Sequence, residues 1–231
     1  MITLKNIKKV YGKKENKFTA LDGVSLEIEL GTSFAIIGKS GSGKSTLMHI
    51  VSGLDKPSSG SIIVNGRDLS KLKKRALDKF RSEEVSFIFQ SFFIEGNQTC
   101  YQNVALPLEI ARVPLAKRKK MVLQALESVE LLEKANVKAK NLSGGQKQRL
   151  AIARSIVNKP KIIFADEPTG NLDSKTGEKI IKLLFGLNKK LGATLIVVTH
   201  DNDLASKCDR QVILSDGRVI KDSKESQQGN K

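Results

Sequence analysis

The chain has 231 residues, 40 Lys and Arg against 24 Asp and Glu for a formal charge of +16, and 39% hydrophobic residues. That apolar share excludes a disordered chain, and glycines without a three-residue period exclude a collagen-like one. No apolar run approaches the roughly 20 residues of a membrane-spanning helix. The N-terminus Met1-Ile2-Thr3-Leu4-Lys5 alternates instead of forming a secretory signal. Cys100 and Cys208 lack metal-ligand spacing, so two free thiols in a reducing, cytosolic compartment are expected. The basic balance leaves nucleic acid and anionic membrane surfaces as candidate partners.

In chain order, the first 35 residues read as strands, with Asp22-Gly23 as a turn before the alternating Leu26–Leu30. Phe34–Ile37 is apolar without alternation, as in a strand buried on both faces. It runs into the glycine-rich Gly38–Thr46. Leu47, Met48, Ile50 and Val51 then repeat at helical spacing until Gly53 can end the helix. From about 92 to 159 the patterns are helical, with Leu123, Leu126, Val129 and Leu132 three apart. Strand runs return at Ile162–Ala165 and Leu195–Val198, on either side of an amphipathic helix carrying Ile180, Ile181, Leu183, Leu184 and Leu187. Asp216-Gly217 turns a hairpin between Val212–Leu214 and Arg218–Ile220, and the polar residues from Lys221 read as a tail. The expectation is one α/β domain over 1–231. Its core spans about 1–91 and 160–222, a helical block about 92–159, and a tail 223–231.

Gly38-x-x-x-x-Gly43-Lys44-Ser45 is the phosphate-loop pattern, placed between a buried strand and a helix. Glycines let successive N–H groups face phosphate oxygens, and the helix adds its positive end. Lys39, Ser40, Gly41 and Ser42 complete the loop. Lys44 supplies a charge for the β and γ phosphates, the Ser45 hydroxyl is a ligand for Mg2+, and Thr46 follows. A dinucleotide fingerprint fails, since its third glycine would fall on Thr46. Asp166 and Glu167 end the run Ile162–Ala165, where ligands bind in parallel sheets. Asp166 is suited to hold Mg2+ through water, and Glu167 to polarise the attacking water.

Leu142-Ser143-Gly144-Gly145-Gln146, followed by an apolar helical run, matches the signature of ATP-binding-cassette (ABC) ATPases. The resemblance spans the chain, because the phosphate loop, Gln90, the signature, Asp166-Glu167, Gly170-Asn171-Leu172-Asp173 and His200 keep that family's order. It implies a P-loop NTPase (RecA-like) core with an antiparallel β subdomain and an inserted α-helical subdomain. It further implies a head-to-tail homodimer on ATP binding, with each ATP between one phosphate loop and the partner's Ser143, Gly144, Gly145 and Gln146. In that scheme Tyr11 stacks on adenine, Glu167 is the general base, and His200 holds the γ-phosphate. Gln90 coordinates Mg2+ and reports nucleotide state, and Asp173 links the two sites.

Finer wording resembles the ATPases of lipoprotein-release, macrolide-export, cell-division and antimicrobial-peptide-resistance systems. It lies in Asp55–Gly60, Phe87-Ile88-Phe89-Gln90, Asn103–Leu108 and Thr169–Ser174. Those ATPases serve an integral membrane permease with few transmembrane helices, from the cytoplasmic, inner face of the cell membrane. Two departures stand out. Lys39 replaces a frequent proline, and Glu95, Gly96 and Gln98 replace the usual residues of the groove that receives the permease, which implies a divergent partner. A soluble ABC ATPase acting on nucleic acid is the alternative. Against it, no coiled-coil insertion, second cassette or aromatic interleaving of the basic runs is present, so nucleic acid is not the expected partner.

Overall fold

The computed structural model describes residues 1–13 and 16–224. Its strands and helices, in chain order, are β1 (Ile2–Tyr11), β2 (Phe18–Ile28), β3 (Ser33–Ile37), α1 (Lys44–Val51), β4 (Ser59–Val64), β5 (Arg67–Asp68) and α2 (Lys74–Glu84). These are followed by β6 (Val85–Phe89), α3 (Cys100–Ile110), α4 (Leu115–Ser128), α5 (Gly144–Ile156), β7 (Ile162–Asp166) and α6 (Ser174–Leu191). The last are β8 (Thr194–Thr199), α7 (Asn202–Ser206), β9 (Arg210–Ser215) and β10 (Arg218–Asp222). The chain forms two units, one of Met1–Arg81 with the chain from Thr194 onward, the other of Ser82–Ala193.

The first unit holds an antiparallel sheet ordered β2-β1-β4-β5 and the strands β10-β9-β3-β8, in which β3 runs parallel to both β8 and β9. All five residues of β3 and all six of β8 are buried, as the unalternated apolar runs require. Helix α1 buries Leu47, Met48, Ile50 and Val51, ends on Ser52, and leaves Gly53 at φ 72 to turn the chain away.

Two sequence expectations change here. Asp22-Gly23 does not precede a strand but lies inside β2, where Gly23 at φ 77 accompanies register shifts against β1; the glycine makes a bulge, not a turn. Lys221 and Asp222 pair with Ile213 and Val212 in β10, so the strand continues past the expected start of the tail. Residues 225–231 of that tail lie outside the described ones. Helix α2 was not expected; Leu77 and Phe80 are its buried apolar residues, too short a pattern to stand out among its charges.

The second unit pairs β6 with β7 in parallel and holds α3, α4, α5 and α6. The apolar spacing in α4 is displaced from the expected stripe. Val122, Ala125, Leu126 and Val129 are buried, whereas Leu132 is 41% exposed beyond the helix end. Asn103, only 1% exposed, ties the chain ahead of α3, its amide nitrogen donating to the carbonyls of Glu95 and Thr99 at 3.0 Å while its oxygen accepts from Glu95 N at 2.8 Å. Backbone bonds from Lys140 to Gly96 and from Ala139 to Gln98 strap the same segment to the residues before the signature.

Candidate functional site

In the first unit, β3 delivers the chain to the phosphate loop. A side chain at Gly38 would stand 2.3 Å from the Leu214 carbonyl, and one at Gly43, with φ +100, 2.5 Å from the Ala20 carbonyl. Both glycines are therefore demanded by backbone packing as well as by the curl of the loop. Gly43 is the N-cap of α1, which has no side-chain cap and no acidic residue in its first turn. Its leading N–H groups keep their positive end for an anion. Lys44 Nζ donates to the Gly38 and Lys39 carbonyls at 2.7 and 2.8 Å, holding the charge over the loop. Ser45 is exposed on the first turn of α1, Lys39 and Ser40 are exposed on the loop, and the buried Ser42 hydroxyl lacks a hydrogen-bond partner.

Ile37 pairs with Thr199 across β3 and β8, so Gly38 and the exposed His200 leave adjacent strands at the same level. Tyr11 comes close to Thr46 on the first turn of α1. The Tyr11 hydroxyl donates to Asp55 Oδ2 at 2.9 Å, and Lys9 Nζ lies 4.8 Å from the ring centre. Partial burial and the Asp55 carboxylate push the phenol pKa up. Burial also acts to raise Asp55, but bonds from Lys9, Tyr11 and the Lys56 N–H hold that carboxyl below its usual range. Phe18, opposite Tyr11 in the β1–β2 register, is 60% exposed. Lys9, Asp55 and Phe18 were not among the residues expected from the sequence. Only strand pairing brings them to Tyr11.

In the second unit, Phe89 of β6 pairs with Asp166 of β7, so Gln90 and Glu167 follow at one level. Gln90 Nε2 donates to Asn171 Oδ1 at 3.2 Å, and Asn171 Nδ2 returns a bond to the Gln90 carbonyl at 3.0 Å. A side chain at Gly170 would meet Gln90 Nε2 at 2.7 Å. Phe89, Gln90, Ser91, Phe93 and Asp166 line one open depression. Glu167 has φ +45 and precedes Pro168. Residues before proline favour β or polyproline backbone, and a non-glycine residue at such φ costs about 1–3 kcal/mol.

The signature begins α5. Ser143 and Gln146 form a reciprocal capping box, with Gln146 N donating to the Ser143 hydroxyl at 3.4 Å and Ser143 N to Gln146 Oε1 at 3.1 Å. Both side chains are thus engaged in holding the helix start. A side chain at Gly145 would stand 2.5 Å from Thr176 Cγ2, so α5 and α6 approach closely only because of that glycine. Asp173 caps α6, accepting from Thr176 N at 3.0 Å, and bonds from the Thr176 side chain and backbone lower its pKa. Gln148, fully buried, donates from Nε2 to the Pro168 carbonyl at 2.6 Å. Sequence reasoning passed over it.

Among the described residues, no three His, Cys, Asp or Glu side chains cluster as a metal cage. Ser45 in the first unit, and Gln90 and Asp166 in the second, each carry a side-chain oxygen, the donor type that a hard ion such as Mg2+ accepts.

The family model described as ABC transporter matches residues 21–170. The methionine import ATP-binding protein MetN of Geobacillus kaustophilus is 44% identical over 221 residues, 95% of this chain and 64% of that protein. The macrolide export ATP-binding/permease protein MacB of Bdellovibrio bacteriovorus is 47% identical over 224 residues, 97% of this chain. The chain therefore spans less than two thirds of MetN and 34% of MacB. Among solved structures, the dimeric ATP-binding cassette MJ0796 in a post-hydrolysis state with ADP and Pi has a TM-score of 0.86 and 42% identity, covering 96% of this chain and 97% of that one. These likenesses bear out the α/β cassette fold and the resemblance read from the signature. The chain belongs to the ABC transporter family and is an ATP-binding cassette of the ATPase type.

Proposed function

We propose that this chain is the ATP-hydrolysing subunit of a membrane transporter, acting as a head-to-tail homodimer coupled to an integral permease. The observation that carries the reading is the Gly43–Lys44 start of α1. An uncapped helix end and a lysine held over a glycine loop form a site for a polyphosphate. Ser45, Gln90 and Asp166 would hold Mg2+, which would supply charge neutralisation between the β and γ phosphates. Tyr11, oriented by Asp55, offers its ring to adenine. Glu167 accepts a proton from the attacking water, and His200 orients the γ-phosphate. Ser143, Gly144 and Gly145 of the partner close the site, and Asp173 lies at the junction of the two halves. Dimerisation is supported by the dimeric MJ0796 cassette.

The permease reading is supported by MacB, whose name joins ATP-binding and permease functions, while this chain matches 34% of it. Among the described residues no helix is long and apolar enough to cross a membrane. The +16 charge suits a position against an anionic inner leaflet. Four sequence segments favour the export and release subgroup and a permease with few transmembrane helices. The segment Glu95–Gln98, strapped to the residues before the signature, would adapt the groove to that permease.

The test is affinity purification of the tagged chain from detergent-solubilised membranes. An integral membrane protein recovered in stoichiometric amount, with Mg2+-dependent ATPase activity, is expected. Recovery with nucleic acid and no membrane protein would overturn the reading.

A further inference from the structure

Glu167 holds a backbone conformation that its own residue type and the following proline both disfavour. Such a conformation persists only where neighbours over-determine it. One restraint is local, since Gly170 N donates to the Glu167 carbonyl at 3.1 Å. A further one comes from outside the turn. Gln148, one helical turn into α5 and fully buried, donates from Nε2 to the Pro168 carbonyl at 2.6 Å. Its Oε1 is buried without a hydrogen-bond partner. The one bond this buried amide makes is thus through its donor, and removing that donor leaves the Pro168 carbonyl without it.

We propose that Gln148 is a positioning residue, tying the signature helix to the backbone next to Glu167 so that displacement of α5 is transmitted to that carboxylate. The proposal rests on the reading of Glu167 as the base. Two close contacts make the tie effective. Gly145 lets α5 lie against Thr176 at the start of α6, and Gly170 seats against Gln90. Signature helix, Glu167 turn and Gln90 are thereby one hydrogen-bonded and packed block within the second unit. A partner's nucleotide that presses on the start of α5 moves a body to which Pro168 is fastened. Ser143 and Gln146, which look like the obvious link, are occupied with each other in the capping box.

Gln148→Met keeps the side-chain length and removes the donor. Expected are a kcat about tenfold lower with KM for ATP within about twofold. Amide hydrogen exchange at Gly170 should speed up several-fold, with the α5 interior unchanged. Gln148→Leu carries the same test should the methionine variant melt early. A kcat within about twofold of the native chain, with unchanged exchange at Gly170, would overturn the proposal. Glu167→Gln measured alongside separates the two readings. If that variant turns over ATP normally, the base assignment fails whatever Gln148 does; if it is inactive while Gln148→Met is normal, only the tie fails.

Discussion

Phe89 and Asp166 are direct partners across the parallel strands β6 and β7, and this single register step brings Gln90 and Glu167 out of the sheet together. The equivalent step in the first unit, Ile37 against Thr199, does the same for Gly38 and His200. Within each unit, two segments far apart in sequence thus owe their common level to backbone pairing, and their side chains are then trimmed by local bonds. Ligand sites at the carboxyl ends of parallel strands follow from this construction.

Gln90 owes its orientation to Asn171. Asn171→Ala removes both bonds between them and leaves the Gln90 amide to rotate. We expect the Mg2+ concentration for half-maximal ATPase activity to rise about threefold to tenfold, with melting changed little, since both residues are exposed. An Mg2+ titration of ATPase activity checks this.

Gly145 has a packing reason to be glycine that is separate from phosphate binding. Gly145→Ala drives its methyl into Thr176 Cγ2 and should lower stability by about 1–3 kcal/mol. Adding Thr176→Ser removes the obstructing methyl while keeping a hydroxyl and the backbone donor that Asp173 accepts. Thermal melting of the single and double variants should show the loss and most of its recovery.

Asp222 closes the C-terminal hairpin by accepting two bonds from Arg210, one of 2.8 Å from Nε and a second from Nη2. The guanidinium, outweighing burial, holds the Asp222 carboxyl below its usual range. A depressed folded value means that the native state binds fewer protons than the unfolded chain between the two pKa values. The stabilisation is therefore present above the unfolded value of about 3.9 and is lost as pH falls through the lower folded value. Asp222→Asn should cost about 1–3 kcal/mol at neutral pH and flatten the fall in melting temperature below about pH 4. Melting curves across that range check both parts.

Much of the site was legible because its chemistry is written locally. A phosphate loop, a signature and a strand-end acid pair are each contiguous, and each needs its glycines or carboxylates at fixed spacing. Tyr11 was legible only through resemblance. What orients these groups was not legible, because Asp55, Asn171 and Gln148 act across 44, 81 and 20 positions of sequence. Nothing in a lone Asn or Gln announces a tertiary bond. The fold showed the same limit. Buried β3 and β8 announce themselves by unalternated apolar runs, whereas the two apolar anchors of α2 are hidden among charges, and Asp22-Gly23 makes a bulge from residues that more often make a turn.

The central claim is that Glu167, in its strained turn after β7, is the base of an ATPase that works between two copies of the chain. Glu167→Gln preserves shape and hydrogen-bonding capacity while removing the proton acceptor. Steady-state ATP turnover should fall by about 100-fold or more, within the usual range for loss of a general base, while ATP binding is retained. The variant should also elute as a dimer with ATP and as a monomer without it. Near-native turnover, with no nucleotide-dependent dimer, would contradict the account.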